Sequence, residues 1–282
     1  MIWIRRILAG GAALMVVAVL LAFTLSEWRV RRTVAMPLPA IEAAHDPAQI
    51  AEGARVATFE GCRACHGDRG QGRVIQNDAM IGRIVAPALA RVAARATDAE
   101  LARVIRHGVS VSGKPIYIMP SDVFNRLADE DVARILGWIR TLRPASGDVT
   151  VSTRLGPLLR FALATGGLNS AVNPAGDQPR ARPGDVGGYY AGTLCSFGHA
   201  LDHDRIHQGE FGPATAPALA QVAAAHDPAA FRHLLQTGEG AGGRALPDMK
   251  DAAIKVFKGF TVDEIDAIHA YLREEAARLQ PS

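Results

Sequence analysis

Apolar and polar positions divide this chain into an uncharged N-terminal run and a series of short amphipathic segments. Ile7 to Leu25 is a run of 19 residues without a charge, which as a helix rises about 28 Å against a hydrocarbon core of about 30 Å. Further on the apolar positions recur at helical spacing. Asp46 and Pro47 suit an N-cap and first helical position before AQIAEGARVATF. Thr97 and Glu100 form a capping-box pair ahead of Leu101, Val104 and Ile105, with Gly108 as the stop. Val132, Ile135, Leu136, Ile139 and Leu142 then fall on one face. These segments predict short helices joined by loops, with no convincing strand, so the expected class is all-α.

The pattern occurs twice. APALARVA at 86 to 93 returns as APALAQVA at 216 to 223. Pro87 to Pro217, Gly108 to Gly238 and Met119 to Met249 are each 130 residues apart, while His66 to His199 and Val132 to Ile265 are each 133 apart. In the second copy Asp227 and Pro228 precede Phe231, Leu234 and Leu235, and Thr261 and Glu264 open a helix carrying Ile265, Ile268 and Leu272. Trp138 and Tyr271 hold matching places. Four segments follow: 1–33 as a membrane anchor or signal peptide, 45–143 as a first domain, 144–186 as a Pro/Gly-rich linker and 187–276 as a second domain. Within the linker, residues 152–164 predict an amphipathic helix lying on one of the domains.

Composition narrows the partners. The formal charge of +3 from 31 Lys and Arg against 28 Asp and Glu is carried by the arginines that flank the apolar run; the remainder is nearly neutral and offers no cationic footprint for nucleic acid. Arg5 and Arg6 would also suit the n-region of a signal peptide. The apolar run is longer than a usual signal core, its end lacks a small-x-small cleavage pattern, and Trp28 suits the membrane interface, which favours an uncleaved anchor. Arginines on both sides leave the orientation open.

Three cysteines are too few for a disulfide scaffold. Cys62, Cys65 and His66 spell CRACH, the C-x-x-C-H pattern of c-type haem attachment, in which two thiols three apart reach the porphyrin vinyl groups and the adjacent imidazole reaches the iron. Zinc would want two more ligands at finger or ribbon spacing, and the chain has no second C-x-x-C. Residues 195 to 199, CSFGH, keep Cys195 and His199 but carry Gly198 in place of the second cysteine. Haem on one thioether, haem held only through iron ligands, and an empty domain all remain open there; retention of both ligand types favours a bound haem. Met80 reads as apolar packing. His203 and His207, four apart, could share a helix face but lack a third ligand.

GCRACHG, VAPALA and IYIMPSDVFNRLADEDVARILGWIRTL resemble the haem motif, proline loop, methionine loop and C-terminal helix of bacterial class I cytochrome c domains, over about 45 to 143 and again over about 187 to 275. The resemblance implies an N-terminal transmembrane helix followed by two tandem domains of this class. It implies Met119 as the second axial ligand opposite His66, the Pro87 carbonyl holding His66, and by repetition His199 with Met249 at a second haem beside Cys195. It further implies electron transfer outside the cytoplasm: an inner-membrane protein with its haem domains on the periplasmic side, exchanging electrons with a quinol-oxidising complex, a dehydrogenase or a terminal oxidase. No catalytic residue is expected. Two alternatives stand beside it, a peroxidase-like dihaem enzyme in which Met249 is displaceable, and a single-haem carrier whose second domain only docks.

Overall fold

The computed structural model describes residues 2–174, 180–209 and 212–279, with the side chains of 207–209 and 212–214 left aside. Helix α1 (Ile2–Arg31) is exposed along nearly all its length and is long and apolar enough to cross a membrane. The first unit contains α2 (Pro47–Phe59), α3 (Cys62–His66), a hairpin of β1 (Arg73–Asp78) and β2 (Gly82–Ala86), α4 (Leu89–Ala93), α5 (Asp98–His107), α6 (Ser121–Phe124) and α7 (Asp129–Thr141). Strand β3 (Arg154–Leu155) and helix α8 (Pro157–Thr165) follow. The second unit contains α9 (Val186–Thr193), a 3₁₀ turn at Cys195–Phe197, a hairpin of β4 (Arg205–Gly209) and β5 (Gly212–Ala216), α10 (Leu219–Ala225) and α11 (Pro228–Thr237). It ends with the two-residue strands β6 (Glu239–Gly240) and β7 (Arg244–Ala245), then α12 (Pro247–Lys255) and α13 (Val262–Arg278).

The helix ends obey the local signals. Asp46 accepts from the N–H groups of Ala48 and Gln49, and Asp227 from that of Ala230. Both capping boxes form, Thr97 with Glu100 and Thr261 with Glu264. Gly108 and Gly238 close α5 and α11 in the left-handed region, at φ 62° and 72°. The faces predicted for α7 and α13 are buried at Val132, Ile135, Leu136 and Ile139 and at Ile265, Ile268 and Leu272.

Each unit is organised by a close helix crossing. A Cβ at Gly53 of α2 would lie 1.9 Å from the Arg134 carbonyl oxygen of α7, and one at Gly187 of α9 would lie 2.1 Å from that of Ala267 in α13. The helices therefore pack backbone to backbone. The two units share one apolar core, in which Phe59 stacks on Phe260 at 4.7 Å and meets Tyr190 edge-on at 5.0 Å.

Several expectations need correction. The chain is helix-rich, but both copies contain an antiparallel hairpin that the reading of helices and loops missed. The first turns at Asp78, whose carboxylate accepts from the N–H groups of Met80 and Ile81. Met80 stands 56% exposed at that tip and is not apolar packing. The 203–207 stretch is no helix; the backbone runs into β4, His203 pairs with its neighbour Asp202, and the His207 side chain lies outside the described residues.

The 144–186 segment, read as a linker, is in its described part a strap. Val149 donates to Gln71, β3 extends the hairpin sheet alongside β2, Ala171 donates to Ile116, and Asn173 donates to His107. Arg180 then bonds Asn125 and Asp129. Proline and glycine here shape single backbone hydrogen bonds against an existing surface, which periodicity cannot register; residues 175–179 of the segment lie outside the described residues.

Gly53→Ala forces its methyl onto backbone that cannot move away, and is expected to lower stability by about 1–3 kcal/mol, as overpacking does. Thermal unfolding followed by circular dichroism checks this, with Gly61→Ala as the comparison for positive-φ strain without a clash, since nothing lies within 4 Å of a Cβ there.

Candidate functional site

α2 ends at Phe59, Gly61 turns the chain at φ 74°, and α3 begins at Cys62. One helical turn then carries Cys62, Cys65 and His66 together. The ring of His66 is fixed by Nδ1, which lies 2.8 Å from the Pro87 carbonyl oxygen and donates to it. That bond leaves Nε2 as the free lone pair, the tautomer a metal requires. Burial lowers the His66 pKa, with the Pro87 carbonyl working the other way, which favours the neutral ring. Gly72 makes the close approach of the proline loop feasible: at φ 82°, a Cβ there would sit 2.8 Å from the Ala86 oxygen.

The proline contact recurs in the second copy. His199 Nδ1 lies 2.9 Å from the Pro217 carbonyl oxygen. Cys195 begins the 3₁₀ turn, and a Cβ at Gly198, where the second cysteine is missing, would meet nothing within 4 Å. Cys62, Met119, Cys195 and Met249 are half-buried and pack against the shared core, whereas Cys65 is exposed. The two methionines are presented differently. Met119 lies in irregular chain ahead of α6, and Met249 lies in the first turns of α12.

The thiols do not suit other chemistries. Burial pushes Cys62 and Cys195 up to about 12, with the charge of Glu60 adding to both, so neither supplies a thiolate near neutral pH. Among the described residues no cluster of three or more His, Cys, Asp or Glu could hold a metal by itself. Paired cysteines beside a tautomer-locked histidine, with a thioether elsewhere on the same core, do fit a covalently bound haem.

Glu60 is the buried ionisable residue beside the site that the sequence did not reveal. It is 3% exposed at the junction of the two units, accepts from the Thr193 hydroxyl at 3.1 Å, and its Oε2 has no protein partner. Burial, reinforced by the charge of Asp131 and opposed by the Thr193 bond, pushes its carboxyl up to about 8. Glu60 stands just ahead of the C-x-x-C-H motif but is not part of its pattern; the docking of α9 against the end of α2 buries it. A second contact joins the sites, since Phe197, inside the degenerate motif, lines one cleft with Tyr117 to Pro120.

Residues 50–143 match the family model described as cytochrome c, so the first unit is a cytochrome c domain, a class that carries haem c. A stretch of 140 residues is 32% identical to the fructose dehydrogenase cytochrome subunit of Gluconobacter japonicus, covering 46% of this chain and 27% of that protein. The chain thus spans about a quarter of that relative's length.

Glu60 has an ordinary value of 4.5 and a folded value of about 8. Between them the unfolded chain releases a proton that the folded chain keeps, so this group's contribution is fully present below pH 4.5 and is lost as pH rises through 8. Glu60→Gln, which mimics the protonated acid, is expected to match the parent near pH 4.5 and to be more stable near pH 8 by on the order of 2 kcal/mol. Denaturant unfolding across that range checks it; an unchanged pH profile would contradict the assignment.

Proposed function

We propose that this protein is a membrane-tethered electron carrier with two haem sites. The first is held by Cys62 and Cys65 with His66 and Met119 on the iron, the second by Cys195 alone with His199 and Met249. The observation that carries this reading is the paired hydrogen bond of His66 to Pro87 and His199 to Pro217. The recurrence of the histidine-to-proline bond in the second copy supports a retained cofactor site there. Haem with two protein ligands supplies one-electron transfer at a raised potential and leaves no open position for substrate.

The chain's own residues orient and shield these sites. The Pro87 and Pro217 carbonyls set the imidazole planes, and α7 and α13 close the apolar wall behind them. Phe59, Tyr190 and Phe260 keep the junction between the sites dry. The relative's name is that of a dehydrogenase's cytochrome subunit, which supports a dehydrogenase as electron donor.

The tether is α1. Its last turns are built into the fold: Ser26 is fully buried, Glu27 pairs with Arg160 at 2.7 Å, and Tyr117 donates to the Arg29 carbonyl at 2.8 Å. A leader removed during export would leave those partners bare, so the packing supports a retained anchor, with the haem units on the periplasmic side.

Pyridine haemochrome analysis against polypeptide mass is expected to give two haems per chain, one bearing a single thioether. Gly198→Cys is expected to keep that count and convert the second haem to two thioethers, because the site has room for a side chain. One haem in the parent and two in Gly198→Cys would instead mark the second unit as a docking module. Met119→Ala is expected to abolish the methionine–iron charge-transfer band of the first site and lower its potential by at least about 100 mV, given how strongly axial ligands set potentials. An alkaline phosphatase fused after residue 282 is expected to be active; inactivity overturns the topology.

A further inference from the structure

Helix α8 is amphipathic in an unusual sense. One face is committed to the base of α1: Leu163 is fully buried, and its carbonyl accepts from Arg29. Arg160 reaches Glu27 and the Ser26 hydroxyl and lies 4.2 Å from the centroid of the Phe23 ring. The other face carries Pro157, Leu158, Phe161 and Thr165, all exposed and spaced along one stripe. Leu158 is 50% and Phe161 60% exposed, and Arg160, the helix's one charge, is already paired. A water-facing stripe on a surface helix is normally charged or polar. Leu158 also donates its N–H to the Met80 carbonyl, which places the exposed hairpin tip beside the stripe.

The depth of this patch along α1 identifies what covers it. α8 packs against Phe23 to Arg29, where the uncharged run from Ile7 to Leu25 ends and Trp28, Arg29, Arg31 and Arg32 begin. On a spanning helix that level is the boundary between acyl chains and headgroups, where aromatic residues and arginines collect. A helix fixed there cannot stand clear of the bilayer.

We infer that α8 is an interfacial helix whose Leu158 and Phe161, together with Met80, insert into the phospholipid headgroup and acyl boundary of the membrane that α1 spans. This rests on the tether reading above. The first unit then does not swing on a flexible leash. It lies against the bilayer in one orientation, and Tyr117, two residues before Met119, holds the methionine loop beside the anchor. Arg31 and Arg32 add attraction to anionic headgroups.

The test uses the full chain in vesicles of phosphatidylcholine and phosphatidylglycerol, with Phe161 replaced by p-benzoylphenylalanine. Illumination is expected to give phospholipid adducts at position 161 by mass spectrometry. In the same preparation, linear dichroism of the haem bands in oriented bilayers is expected to show a fixed tilt, which Leu158→Asp combined with Phe161→Asp abolishes while haem content stays unchanged. Absence of lipid adducts in protein that still resists carbonate extraction overturns the inference, as does dichroism unaltered in the double variant. Release of the parent protein by carbonate instead defeats the tether reading on which the inference stands.

Discussion

The backbone contact between α2 and α7, and its repetition between α9 and α13, is the constraint from which the rest of the architecture follows. Gly53 and Gly187 let each pair of helices approach until a carbonyl oxygen occupies the space a side chain would need. That approach fixes the end of α2 and the end of α9, and so where each cysteine turn begins. The histidine follows four residues after the first cysteine in both copies, and a proline carbonyl meets its Nδ1 at nearly the same distance in both, 2.8 and 2.9 Å. Helix packing therefore sets the orientation of each imidazole ring.

The two units face one another with related contacts exchanged. Arg55 of α2 reaches Glu264 near the start of α13 at 2.6 Å, while Tyr189, its counterpart in α9, donates to Asp131 near the start of α7 at 2.8 Å. Arg55 also donates to the Gly259 carbonyl, and Arg126, at the matching place in the first unit, donates to that of Gly192. Such reciprocity is that of an isologous interface folded into one chain. Its charged members carry hydrogen bonds on more than one side, the condition under which partly buried ion pairs are tolerated. Its cost is concentrated in Glu60, shut between Cys62 and Cys195 with one oxygen unpaired. A protonated carboxyl resolves that cost, and it keeps a net charge away from the space between the two motifs.

The anchor, strap and first unit form a second set of dependencies. The strap carries few apolar residues at regular spacing, yet it supplies β3, α8 and the backbone bonds that cover the hairpin and the methionine loop. Through α8 it links the apolar N-terminal helix to the first unit, so the position of that helix relative to the first site is decided by residues far from the site.

Much of this was legible in the chain itself. Capping residues, terminating glycines and the apolar faces of α5, α7, α11 and α13 are local effects, determined within one or two helical turns. The C-x-x-C-H motif is equally local, and it indicated the cofactor class before any coordinates; the repeat showed itself as correspondences 130 and 133 residues apart. The hairpins escaped because β1 is exposed along its whole length and shows no alternation of buried and exposed positions. The strap escaped because its hydrogen bonds go to partners far away in sequence, as far as the 134 residues between Arg160 and Ser26. Only the tertiary structure could bury Glu60, pair Arg55 with Glu264, or lay α8 along the base of α1. Each of these depends on two surfaces meeting, and a residue's environment across such a junction is a property of the packed assembly that no local pattern encodes.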